Sequence, residues 1–73
     1  MSQDKYLIID LETTGLDPWR DEILMVGVDD GITYTCCRSK QEFQKLMQKY
    51  QEWDIGGHNF TFDRRFLIVK GWQ

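Results

Sequence analysis

Cysteine is scarce in this chain: Cys36 and Cys37 are the only two in 73 residues, and they are adjacent. Adjacent thiols fit neither a zinc spacing nor a small disulfide framework, so both read as strand residues in a reducing, cytoplasmic setting. Long hydrophobic runs are missing too. No apolar stretch approaches membrane-spanning length, and Met1 to Asp4 is polar, without signal-peptide character, so no membrane partner is expected. Positive charge is in deficit, with nine Lys and Arg against twelve Asp and Glu. The resulting net charge of −3 argues against a broad, sequence-blind phosphate-binding surface. It leaves room for a nucleic-acid site centred on metal ions, where acidic ligands are required. No repeat, low-complexity tract or linker divides the chain, which reads as one unit with at most one modest core. Its ten aromatic residues and well-mixed charges exclude wholesale disorder.

What is present falls into six segments. Lys5 to Asp10 is a continuous apolar run, suited to a central strand covered on both faces. Asp17-Pro18 marks a turn, because proline disfavours helix in the residue before it. Ile23 to Val28 is a second apolar run, and Asp29-Asp30-Gly31 supplies a hairpin turn with a glycine free to take positive φ. Ile32 to Cys37 alternates with β-branched and aromatic residues, as an edge strand does. Ser39-Lys40-Gln41-Glu42 forms a capping box. Phe43, Leu46, Met47 and Tyr50 then recur at helical spacing on one apolar face. Asp54 to His58 is a short, glycine-bearing strand, and Thr61 to Lys70 a second helix ended by Gly71. The order β-β-β-α-β-α permits a crossover that lays the fourth strand parallel to the first. The expected α/β fold has a mixed sheet of order 3-2-1-4, with the carboxyl end of the first strand as the place for a site.

At that end stand Asp10 and Glu12. Residues two apart on a strand project to the same side. Two carboxylates at the end of a buried strand repel each other and are costly to desolvate. A divalent cation offsets both costs, and oxygen-only ligands suit magnesium or manganese. Alone, Asp-x-Glu reads more readily as a strand end whose acids reach solvent. Asp63, in the first turn of the last helix, shares a face with Phe66 and Leu67 and should point toward the sheet; the alternative is a helix-start aspartate interacting with the dipole. Together the three carboxylates could converge on one pocket, most of what a two-metal phosphodiester site requires.

The segment Ile9 to Leu16, read as Asp-x-Glu-Thr-Thr-Gly-Leu, resembles the first motif of the DEDD (DnaQ-like) 3′–5′ exonucleases. His58-Asn59 with Phe62-Asp63 and Phe66-Leu67 resembles their second motif. The resemblance spans Lys5 to about Val69 and in detail is most similar to the proofreading domain of a family A-type DNA polymerase. It implies a ribonuclease H-like fold and metal-dependent hydrolysis of single-stranded DNA from the 3′ end, with two magnesium or manganese ions. By the same resemblance Asp10, Glu12 and Asp63 are catalytic and hold the metals. Thr13, Thr14, Gly15 and Leu16 lie beside the terminal nucleotide, with Leu16 on the base and amides near Thr14 at the sugar. Asn59 approaches the strand or buttresses the second motif, and Phe62 packs near the terminal bases.

The family's third motif, with a fourth aspartate and a tyrosine or histidine that orients the water, does not occur in these 73 residues. The domain is therefore expected to be truncated at its carboxyl end, inactive alone, and partnered by the missing part or a polymerase. The sheet edge beside the fourth strand and the apolar helix face then invite self-association. Two other readings stand beside this one: a non-catalytic exonuclease-like interaction module, and a short-RNA exoribonuclease fragment. Packing accounts best for Trp53 and Trp72, whereas Trp19 lies in the loop after the first motif. Arg64 and Arg65 fit either phosphate contacts or a solvated helix face.

Overall fold

The structure, a computed structural model, describes residues 5–57 and 60–73. Its elements are β1 (Tyr6–Thr13), β2 (Ile23–Asp29), β3 (Tyr34–Cys37), α1 (Lys40–Gln48), β4 (Asp54–Gly56) and α2 (Phe60–Val69). The four strands form one sheet in the order β3-β2-β1-β4. β1 is antiparallel to β2 and parallel to β4, and β2 is antiparallel to β3. The expected α/β architecture, strand order and mixed pairing are all present.

Local chemistry explains the connections. Gly31 takes φ +93° in the β2–β3 turn, and Asp29 and Asp30 accept the turn's amides from Gly31, Ile32 and Thr33 at 2.7–2.8 Å. The Thr33 amide, the Tyr50 hydroxyl donating at 2.7 Å and the Ile32 amide hold the Asp30 carboxyl down at about 2. Tyr50 thereby ties the end of α1 to the hairpin. At the start of α1 the Ser39 hydroxyl accepts from the Glu42 amide at 3.1 Å, and Glu42 reaches back to the Arg38 amide at 2.7 Å.

The core lies on one face of the sheet. Leu7 and Ile9 of β1, Val26 and Val28 of β2 and Cys37 of β3 are buried there with Phe43, Tyr50 and Leu67 from the helical side. Each such side chain contributes about 1.5–3 kcal/mol on leaving water. Trp53 meets Tyr50 edge to face at 4.9 Å and Trp72 lies 6.0 Å from Phe43, so both indoles pack at the core margin.

β1 is not covered on both faces. Its burial alternates strictly from Tyr6 to Asp10, with Leu7 and Ile9 inward and Tyr6, Ile8 and Asp10 exposed. The run of isoleucines and leucine hides this period, because hydropathy alone does not distinguish a two-sided strand from one whose outer face also carries apolar residues. The outer face is where the carboxylates are.

Candidate active site

Register fixes the first pair of acids. Asp10 lies opposite Gly27 of β2 and Glu12 opposite Met25. The register slips just beyond, where Thr13 pairs with Ile23 and Leu24 is the extra residue. Such a bulge bends the strand and ends its regular pairing. β1 thus presents Asp10 and Glu12 on its open face immediately before the chain turns away.

The second motif arrives from α2. β1 has its last β4 partner at Ile8, opposite Gly56. Beyond it Asp63 of α2 is buried, only 5% exposed. Phe66 and Leu67, both fully buried one turn later, fix that face of the helix inward. Burial pushes the Asp63 carboxyl up from its ordinary 3.8, the negative charge of Asp10 adds to the shift, and the Leu11 N–H pulls the other way without cancelling them. Asp10 and Asp63 are therefore electrostatic neighbours. Among the described residues, however, no three acidic, histidine or cysteine side chains come together as a group able to hold a metal ion. What is assembled is the Asp10–Asp63 pair, with Glu12 farther along the same strand face.

A raised carboxyl holds its proton more tightly in the folded chain than in the unfolded one. The stability it contributes is fully present below pH 3.8 and is lost as pH rises through the folded value. Asp63→Asn keeps the shape and the acceptor but removes this titration. In chelator, its urea midpoint should exceed the parent's by a margin that widens from about pH 4 upward. Asp30, depressed, acts in the opposite sense but is common to both proteins. A margin that stays constant with pH would mean that neither burial nor Asp10 raises the Asp63 carboxyl.

The Thr13 to Leu16 segment is built into a fixed loop. Thr13 donates its hydroxyl to the Gly15 carbonyl at 2.7 Å, and the Thr14 hydroxyl accepts from the Glu22 amide at 2.9 Å. The Thr14 amide donates to the Glu22 carbonyl at 2.9 Å, so this amide is engaged within the loop. Gly15 is packed under Asp21, whose carboxylate a β-carbon would meet at 2.4 Å. Leu16 is 83% exposed, available to an incoming partner. Phe62 turns onto Phe66 at 5.2 Å, and His58 and Asn59 lie outside the described residues.

One neighbour of the carboxylates was not singled out from the sequence. The Tyr34 ring lies across Gly27, its hydroxyl where a β-carbon of that glycine would be, beside Asp10 in register. Burial, the neighbouring Cys36 and then the charges of Asp10 and Glu12 raise the Tyr34 phenol above its ordinary 10.0. The available signal was Gly27 itself, since a glycine inside a strand often marks the close approach of another group.

No protein-family model matches the chain, and neither a curated protein nor a solved structure does. Among the described residues no helix is long and apolar enough to cross a membrane.

Proposed function

We propose that this chain is the amino-terminal part of a metal-dependent 3′–5′ exonuclease domain acting on single-stranded DNA ends, of the kind that proofreads for a polymerase. One observation carries the reading: Asp63 of the second motif is buried against β1, within electrostatic reach of Asp10 of the first. Placing a carboxylate in such a position is unfavourable for the free fold and is rationalised by a cation. The donor chemistry suits a hard metal: Asp10 and Asp63 would hold it, and Glu12, farther along the strand face, would join them with substrate phosphate to complete the oxygen set. Bound there, magnesium or manganese supplies stabilisation of the charge that develops on the phosphate under attack. The chain's own part is positional. β1 and its bulge set two carboxylates on one face, α2 buries the third, and the Thr13 to Leu16 loop offers an exposed leucine to the terminal base.

Titration with manganese should show weak saturable binding that Asp10→Ala reduces by about tenfold or more, as expected for removal of a ligand from a shared site. Binding indifferent to Asp10→Ala would refute the convergent site.

A non-catalytic interaction module is the second reading, favoured by the open sheet face, where Tyr6, Ile8, Leu24 and Tyr34 are all exposed. Self-association or a covering partner belongs to that reading. A short-RNA substrate has no observation of its own here.

A further inference from the structure

A cleft of about 600 Å³ opens between the loop after β1 and helix α2. One wall is apolar: Leu16, Pro18 and Trp19, with Trp19 left 79% exposed. Arg20 from the loop and Arg65 from α2 supply the positive charge. Neither arginine is in an ion pair among the described residues, where Lys70 with Glu22 is the salt bridge formed. Two acids also line the cleft and balance the arginines in net charge, but their carboxylates are held by hydrogen bonds within the loop. Asp17 accepts from the Trp19 amide at 3.0 Å, and Asp21 accepts from the Asp17 amide at 3.0 Å and from the Thr14 hydroxyl at 3.4 Å. The turn is closed by Asp21 N–H to Asp17 C=O at 2.7 Å, and Pro18 is buried beneath it. A large indole is thus held outward on an ordered turn, rather than folded away as Trp53 and Trp72 are.

We infer that this cleft is a subsite for single-stranded DNA, in which a base stacks on Trp19 and the adjoining phosphate is drawn by Arg65 and Arg20. An exposed ring flanked by free guanidinium groups is the pairing that binds single strands, since every base has a π-face and every linkage a negative charge. The position agrees. The loop begins where Asp10 and Glu12 end β1, and Arg65 is two residues past Asp63 on α2. A strand lying in the cleft would rest on the loop that follows Asp10 and Glu12 and beside the helix that carries Asp63, so the choice of DNA rests on the exonuclease reading, while the binding chemistry does not.

The test is fluorescence anisotropy of a 5′-labelled oligothymidylate titrated with the 73-residue chain in chelator, at several salt concentrations. Trp19→Ala should weaken binding by about 5- to 100-fold, as loss of one base–aromatic stack does, and Trp19→Phe should restore most of it. Arg65→Ala should lower the slope of log affinity against log salt by about 0.7, the value for one phosphate contact on a single strand. Circular dichroism should be unchanged, because both side chains are exposed. A parent that does not bind the oligonucleotide, or a Trp19→Ala variant within about twofold of it, overturns the subsite. Failure of the exonuclease reading shows differently, as DNA bound but left intact when metal and the third motif are supplied.

Discussion

Single-stranded DNA with a free 3′ end should lose nucleotides stepwise once the chain is supplied with a third-motif segment, fused or in trans, and magnesium or manganese. In that completed protein Asp10→Ala and Asp63→Ala should each lower the rate by about a hundred- to ten-thousandfold, the range for losing a group that stabilises or activates at the reacting centre. The 73 residues without that segment should fall short by a similar factor, since the motif that the resemblance makes responsible for orienting the attacking water does not occur in them. Asp63→Asn is the most informative variant. Its buried carboxyl is raised by desolvation and by Asp10, so the amide should make the fold more stable at neutral pH while removing activity. A group that is worse for stability than its isostere, yet required for turnover, is placed there for its chemistry. If the completed protein binds single strands and leaves them intact under both metals, the interaction module becomes the better account.

How much of this was legible beforehand depends on what kind of signal each feature has. The order of strands and helices was readable because each rests on a local rule: Ser39 and Glu42 for the start of α1, Gly31 for the β2–β3 turn, and the α1 crossover for the parallel β1–β4 pair. The inward turn of Asp63 was readable as well, because Phe66 and Leu67 at helical spacing leave their face no alternative. The exposed outer face of β1 was not, since Tyr6 and Ile8 give that face the hydropathy of a core. Tyr34 beside Asp10 was hidden for a different reason. Its position depends on a cross-strand pairing of three strands of the sheet, with Gly27 as the gap between them, and no local pattern states that pairing. The engagement of the Thr14 amide with Glu22 likewise emerges only once the loop has closed.

Gly57→Ala should be the most damaging single methyl in the chain. Gly57 follows β4 directly and sits at φ +150°, a backbone conformation that residues with a side chain rarely adopt. A β-carbon there would stand 2.6 Å from the Ile9 carbonyl oxygen and 3.4 Å from the Ile9 nitrogen. Both are main-chain atoms of the central strand, so no rotamer change relieves the contact. Backbone strain and overpacking together amount to roughly 2–6 kcal/mol, against a total of roughly 4–11 kcal/mol for a domain of this size. Two other glycines calibrate the result. At Gly31, φ +93° is retained in a turn with open space around it, so alanine there should cost about 1–2 kcal/mol from backbone conformation alone. At Gly27 the obstacle is the Tyr34 hydroxyl end, which can swing away. Urea unfolding followed by circular dichroism should therefore rank Gly57→Ala well below Gly31→Ala in stability. Equal midpoints for the two would mean that the chain does not pass against Ile9 as closely as the structure has it. The consequence reaches the site, because Gly57 joins β4 to the helix carrying Asp63. Any Gly57→Ala protein that still folds should do so with β1 and the start of α2 pushed apart, and the pH-dependent margin between Asp63 and Asp63→Asn should shrink in that background as Asp10 and Asp63 separate.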